Sequence, residues 1–111
     1  MADRVNRGEI WLHTFRAPDK RRPVLGISRQ SVIPLIRTVM VAPITSAIHG
    51  VPSEVAVGVE KGLKAPSVVN LDHIQTVEQT TLRQYVGTLS APKMDEVCRA
   101  LARATGCSAK G

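Results

Sequence analysis

Arg21 and Arg22 stand directly before an apolar run at 23–28, and Thr45 and Ser46 stand just after a second one at 38–43. If the two runs are neighbouring strands of one small sheet, their ends bring guanidinium groups and hydroxyls to one cleft. That set suits a phosphate: the planar fork of an arginine matches its oxygens, and hydroxyls add short bonds. The residues alone leave another reading open, in which Arg22 is a solvated strand-end charge and Thr45 an ordinary turn hydroxyl.

Other reactive groups are scattered. His13, His49 and His73 form no cluster, although His49 lies close to Thr45 in sequence. Two histidines acting as acid and base can break a phosphodiester; a lone one is equally a satisfied surface side chain. Asp72 precedes His73 after a predicted strand and reads either as an acid or as a turn cap. Cys98 and Cys107 are nine apart with no CxxC and no matching histidine pair, so they are expected to be free thiols in a reducing compartment rather than metal ligands. GxSxG, HExxH, Walker-type and GxGxxG motifs are absent.

The elements that must position these groups are short. At 111 residues the chain is expected to be a single domain, with a core limited to Val, Ile, Leu and Ala because Trp11, Phe15 and Tyr85 are its only aromatics. Strands are predicted at 9–15, 23–28, 38–42, 54–59, from 66 to 70, at 75–78 and at 85–89. In the first, Ile10, Leu12 and Thr14 share one face and Trp11, His13 and Phe15 the other. Gly26, inside the second run, marks a bulge or a close backbone approach. Segments 29–35 and 79–84 read as helical turns, Lys61 and Gly62 as a turn, and 16–21 and 43–53 as loops. Ser90 caps a C-terminal helix with Pro92 in its first turn, Met94, Val97, Cys98, Leu101 and Thr105 at apolar spacing, and Gly106 as its stop. Residues 1–6 and 107–111 read as loose ends. Many short strands closed by one helix predict a small, strongly curved, mainly β barrel.

Charge points to a polyanion. The net charge is +6, and up to Arg37 eight Lys and Arg residues face only Asp3, Glu9 and Asp19. A basic half suits nucleic acid or an acidic protein. Neither a membrane span nor a secretory h-region is present, so a cytoplasmic location is expected.

Arg7-Gly-Glu-Ile-Trp-Leu12, Arg22-Pro-Val-Leu25 with Ile27 and Ser28, Val41-Ala-Pro-Ile-Thr-Ser46, Gly62-Leu63 with Pro66-Ser-Val-Val69, Asp72-His-Ile-Gln-Thr76 and Gly87-Thr-Leu89 follow in order. The ordered set resembles the MazF/PemK (Kid-like) toxins of bacterial toxin–antitoxin pairs, over about residues 7–106. The resemblance implies an SH3-like barrel of the CcdB/MazF type with a C-terminal helix. It also implies a homodimer that cuts single-stranded RNA without metal or other cofactor, restrained by an acidic antitoxin. Arg22 and Thr45 match the family's catalytic pair, and Ser46 a position that contacts RNA. Asp72 matches an acid proposed as catalytic in some members, and Asn70 stands where those members carry a partnering arginine. Arg21, His49 and Ser53 fall in the loops expected to shape RNA recognition. Two departures stand out: the first loop lacks the family's Gly-Ser-Glu-Gln-like run, and Gly26 replaces a bulky apolar residue. The alternative is a CcdB-like toxin that binds gyrase and cuts nothing; Arg22 and Thr45 argue against it, because pure binding needs no phosphate grip.

Overall fold

A computed structural model of the chain describes residues 5–14, 21–59 and 62–107. Phe15, the loop 16–20, Lys61 and the ends 1–4 and 108–111, for which expectations are given above, lie outside these. The described residues form strands β1 (Glu9–Thr14), β2 (Arg21–Gly26), β3 (Thr38–Thr45), β4 (Glu54–Val57), β5 (Ser67–Asn70), β6 (Gln75–Glu78) and β7 (Gln84–Thr88) and helix α1 (Ala91–Thr105). Short 3-10 turns at Ile33–Leu35 and Gln79–Thr81 occupy the predicted helical turns.

β3 is longer than predicted and holds the sheet together. It pairs antiparallel with β2 from Val24↔Pro43 to Gly26↔Val41 and with β6 from Thr38↔Glu78 to Val41↔Gln75. Its last two residues then pass to β5, as Ile44↔Val69 and Thr45↔Val68. Pro43, which has no N–H to give a ladder, stands at this hand-over. The strand order is β4-β5-β3-β2-β1-β7, with β6 off the path on β3. The outcome is the expected mainly β architecture in the form of a half-barrel.

Two corrections concern the site. Arg21 and Arg22 open β2 instead of preceding it, opposite Thr14 and His13 of β1. Thr45 ends β3 instead of following it. In both cases the sheet's hydrogen bonds extend past the apolar run, because neighbouring strands supply partners to polar residues too.

Period-two alternation sends apolar residues to both faces of the sheet. Ile10, Leu25, Ala42 and Ile44 pack with Val97 and Ala100 of α1; Trp11, Val24, Val39 and Val41 pack with Val5, Ile33 and Leu82. Ser90 Oγ caps α1 by accepting from Lys93 N (3.2 Å), and Gly106 ends it in the left-handed region at φ 76°. The buried stripe of α1 differs from the predicted one. Val97 and Ala100 are buried, flanked by Met94, Leu101 and Ala104, whereas Cys98 and Thr105 are exposed. Cys98 Sγ instead accepts a bond from Arg7 Nη2 (3.1 Å), and the Thr105 hydroxyl donates to Leu101 O (2.9 Å). They lie at the edge of the stripe, where 100° per residue carries positions 98 and 105 off the core.

Nor are residues 5 and 6 loose. Val5 is only 1% exposed and belongs to the Trp11 cluster. Gly26, the last residue of β2 and not its middle, lies against this segment: a Cβ there would be in ordinary contact with Val5 Cγ1 (3.4 Å) and Asn6 O (3.5 Å). The Asn6 backbone and side chain both donate to the Glu9 carboxylate, which also accepts from Trp11 Nε1 (3.0 Å). Truncating Val5 to alanine removes two buried methyl groups and should lower unfolding stability by about 2 kcal/mol, read from urea denaturation. An unchanged midpoint would mean that this segment is not part of the core.

Candidate active site

The ladder between β2 and β3 stops at Val24↔Pro43. Beyond that rung β2 stays with β1 while β3 turns to β5, and a cleft of about 720 Å³ opens between them. Its volume is that of an ordinary ligand site, for which roughly 300–1,000 Å³ is usual. Continuing the β2–β3 register past the last rung sets Arg22 level with Thr45 and Arg21 level with Ser46. All four line the cleft.

The opposite wall comes from two segments distant in sequence: Gly62, Leu63, Lys64 and Ala65, and the start of β7 at Gln84, Tyr85 and Val86. Gly62 joins them. Its φ is +87°, and a Cβ there would meet Val86 O at 2.8 Å, so only glycine allows this contact without a shift.

Each polar group in the cleft has a defined state. Thr45 Oγ1 accepts from Ala47 N (3.0 Å), which fixes the hydroxyl and leaves its own O–H to donate. Arg21 Nη1 donates to Gln84 Oε1 (3.2 Å). Arg22 is exposed. Among the described residues the only ion pair is Lys93–Glu96 on α1, so no carboxylate there neutralises Arg21, Arg22 or Lys64. His13, level with Arg22 across β1 and β2, has its pKa held below the ordinary 6.5 by burial, and its Nδ1 lies 3.3 Å from Thr81 Oγ1. Burial thus disfavours the charged form of the imidazole whose strand position is opposite Arg22.

Asn70, Asp72 and Ser53 stand together elsewhere and do not line the cleft. Ser53 Oγ donates to Asp72 Oδ2, and Asn70 Oδ1 accepts from Asp72 N (2.8 Å). The turn cap here is thus Asn70, and the Asp72 carboxylate is occupied by Ser53. His49 is exposed on the loop after β3, whose backbone is anchored when His49 N and Gly50 N donate to the Glu54 carboxylate. Lys64, Gln84 and Tyr85 are cleft residues that sequence reasoning passed over. Gly62 was the one visible signal for the Lys64 wall; β7 reaches the site only because β1 pairs with both β2 and β7. Among the described residues no group of three or more His, Cys, Asp and Glu is placed to hold a metal ion, and no helix is long and apolar enough to cross a membrane.

Comparison with known proteins gives a consistent result. Residues 6–105 match the model of the PemK-like, MazF-like toxins of type II toxin–antitoxin systems. The chain is 39% identical over 105 residues to the probable endoribonuclease MazF5 of Mycobacterium tuberculosis, covering 92% of this chain and 94% of that one. It superposes on the M. tuberculosis toxin MazF-mt6 with a TM-score of 0.80 and 36% identity, over 88% of this chain and 96% of the other. A mycobacterial endoribonuclease solved in complex with its cognate antitoxin gives a TM-score of 0.83 at 25% identity, over 94% and 97% of the two chains. With a match that spans nearly its whole length, the chain belongs to the PemK-like, MazF-like family of type II toxins.

Proposed function

We propose that this chain is the toxin of a type II pair and an endoribonuclease that cuts single-stranded RNA at specific sequences, so stopping translation and growth. The observation that carries this is the cleft itself. Arg22 and Thr45 come level at its rim, beside Arg21, Ser46 and Lys64, with no described carboxylate to oppose an incoming phosphate. A binding-only toxin has no use for that arrangement, and relatives named as endoribonucleases support the same view.

The nucleophile is the RNA's own 2′-hydroxyl. Its oxygen attacks the adjacent phosphorus while the bond to the 5′-oxygen breaks, leaving a 2′,3′-cyclic phosphate and a 5′-hydroxyl. Arg22 pairs with the non-bridging oxygens as negative charge builds, and Thr45 donates a further bond; both are preorganised for the transition state. Arg22 does not serve as the base, since its pKa stays above ~12. A base other than Arg22 takes the proton of the 2′-hydroxyl, and the leaving 5′-oxygen is protonated in turn. In this reading the chemistry uses no metal.

The protein works as a single domain and a cytoplasmic homodimer, which offsets a thin core. An acidic, partly disordered antitoxin restrains it by covering the same cations, at a cost in ordering that segment.

Two outcomes follow. Replacing Arg22 by alanine, or Thr45 by valine, should each lower kcat on a synthetic oligoribonucleotide by about a hundredfold or more, the usual loss for one preorganised donor. The melting temperature should stay put, because Arg22 is exposed and Thr45 half-buried; a loss of under threefold would remove the residue from the mechanism. Deoxyribose at the cut position should abolish cleavage yet leave binding nearly intact, and chelator should change nothing. Cutting of the deoxy substrate, or dependence on magnesium, would contradict 2′-hydroxyl attack.

A further inference from the structure

We infer that Tyr85 forms a nucleobase subsite in the cleft, where its ring stacks on a base flanking the cut phosphate. This subsite presupposes the RNA-cutting function proposed above.

The chain has three aromatic residues. Trp11 is buried and Phe15 lies outside the described residues, which leaves Tyr85 as the exposed aromatic ring among those described. It is 51% exposed and lines the same cleft as Arg22 and Thr45. An apolar ring left in water contributes little to a core already short of aromatics. Set against a nucleobase, the same surface gains stacking energy with any of the four bases, since each has a π-face.

The ring is also held ready. It meets Trp11 at a centroid distance of 5.7 Å and an interplanar angle of 76°, an edge-to-face contact, and its hydroxyl is hydrogen-bonded to Thr88 Oγ1. Trp11 is in turn fixed through Nε1 to Glu9 (3.0 Å). A platform fixed in advance loses little freedom when a base settles on it.

Its place relative to the phosphate grip fits a nucleotide. Tyr85 pairs with Trp11 and Gln84 with Leu12 on one edge of β1, while Leu12 pairs with Pro23 and His13 with Arg22 on the other. The β7 wall thus lies two strand spacings, about 10 Å, from the strand that carries Arg22. By strand alternation Tyr85 and Arg22 lie on the sheet face that carries Trp11 and His13, so a base next to a phosphate held at Arg22 is on the ring's side of the sheet.

The test uses the full-length protein and oligonucleotides blocked by deoxyribose at the mapped cut. One carries all its bases; two others lack the base on one or the other side of the cut. Dissociation constants come from fluorescence anisotropy. Tyr85→Ala and Tyr85→Leu, the second of which keeps apolar packing on Trp11, should each weaken the complete oligonucleotide about tenfold. Tyr85→Phe should stay within about twofold, because stacking needs the ring and not the hydroxyl. On one of the two abasic strands the Tyr85→Ala loss should vanish. An unchanged constant for Tyr85→Ala, or a loss of equal size on all three strands, would overturn the subsite. Cleavage of the all-ribose strand by the unmodified protein separates the two failures: if it persists, the subsite alone falls, and if it is absent, the RNA-cutting function falls with it.

Discussion

The site depends on one constraint: β3 cannot keep two neighbours along its whole length. Over Thr38–Val41 it pairs with β6, and at Ile44 and Thr45 it pairs with β5. The twist needed to exchange partners pulls its end away from β2, whose own start stays bound to β1. Residues that would have formed further rungs are left facing a gap. Thr45 and Ser46 on one lip and Arg21 and Arg22 on the other are backbone-anchored at their strand ends, so the donors they carry need little rearrangement when a phosphate arrives.

Electrostatics reinforces this geometry. Exposed cations grouped in a concave surface attract a polyanion over a range set by salt, about 10 Å at 0.1 M. Burial of His13 disfavours its charged form opposite Arg22. Three described carboxylates have partners of their own: Glu54 on the loop after β3, Glu9 on Asn6 and Trp11, and Asp72 on Ser53.

Much of this was legible in the sequence, and the reasons are local. Alternating apolar residues fix strands, Ser90 and Gly106 bracket the helix, and Arg22 and Thr45 lie at the ends of runs whose pairing is easily guessed. What escaped prediction depends on long-range contact. Val5 is one apolar residue in a polar stretch, and only its long-range contact with the Trp11 cluster buries it. Cys98 has helical spacing right for the core yet faces Arg7. Lys64, Gln84 and Tyr85 enter the site through the Gly62–Val86 contact and the double pairing of β1, and neither leaves a trace in sequence spacing.

The central claim is that Arg22 and Thr45 hold one and the same phosphate, the one that is cut. A crystal structure with an oligonucleotide blocked by deoxyribose at the cut tests this most directly. The account predicts a guanidinium nitrogen of Arg22 and Oγ1 of Thr45 each within about 3.2 Å of non-bridging oxygens of that phosphate. A strand bound with that phosphate at the Ser53–Asp72 cluster, or with Arg22 and Thr45 on different phosphates, would contradict it.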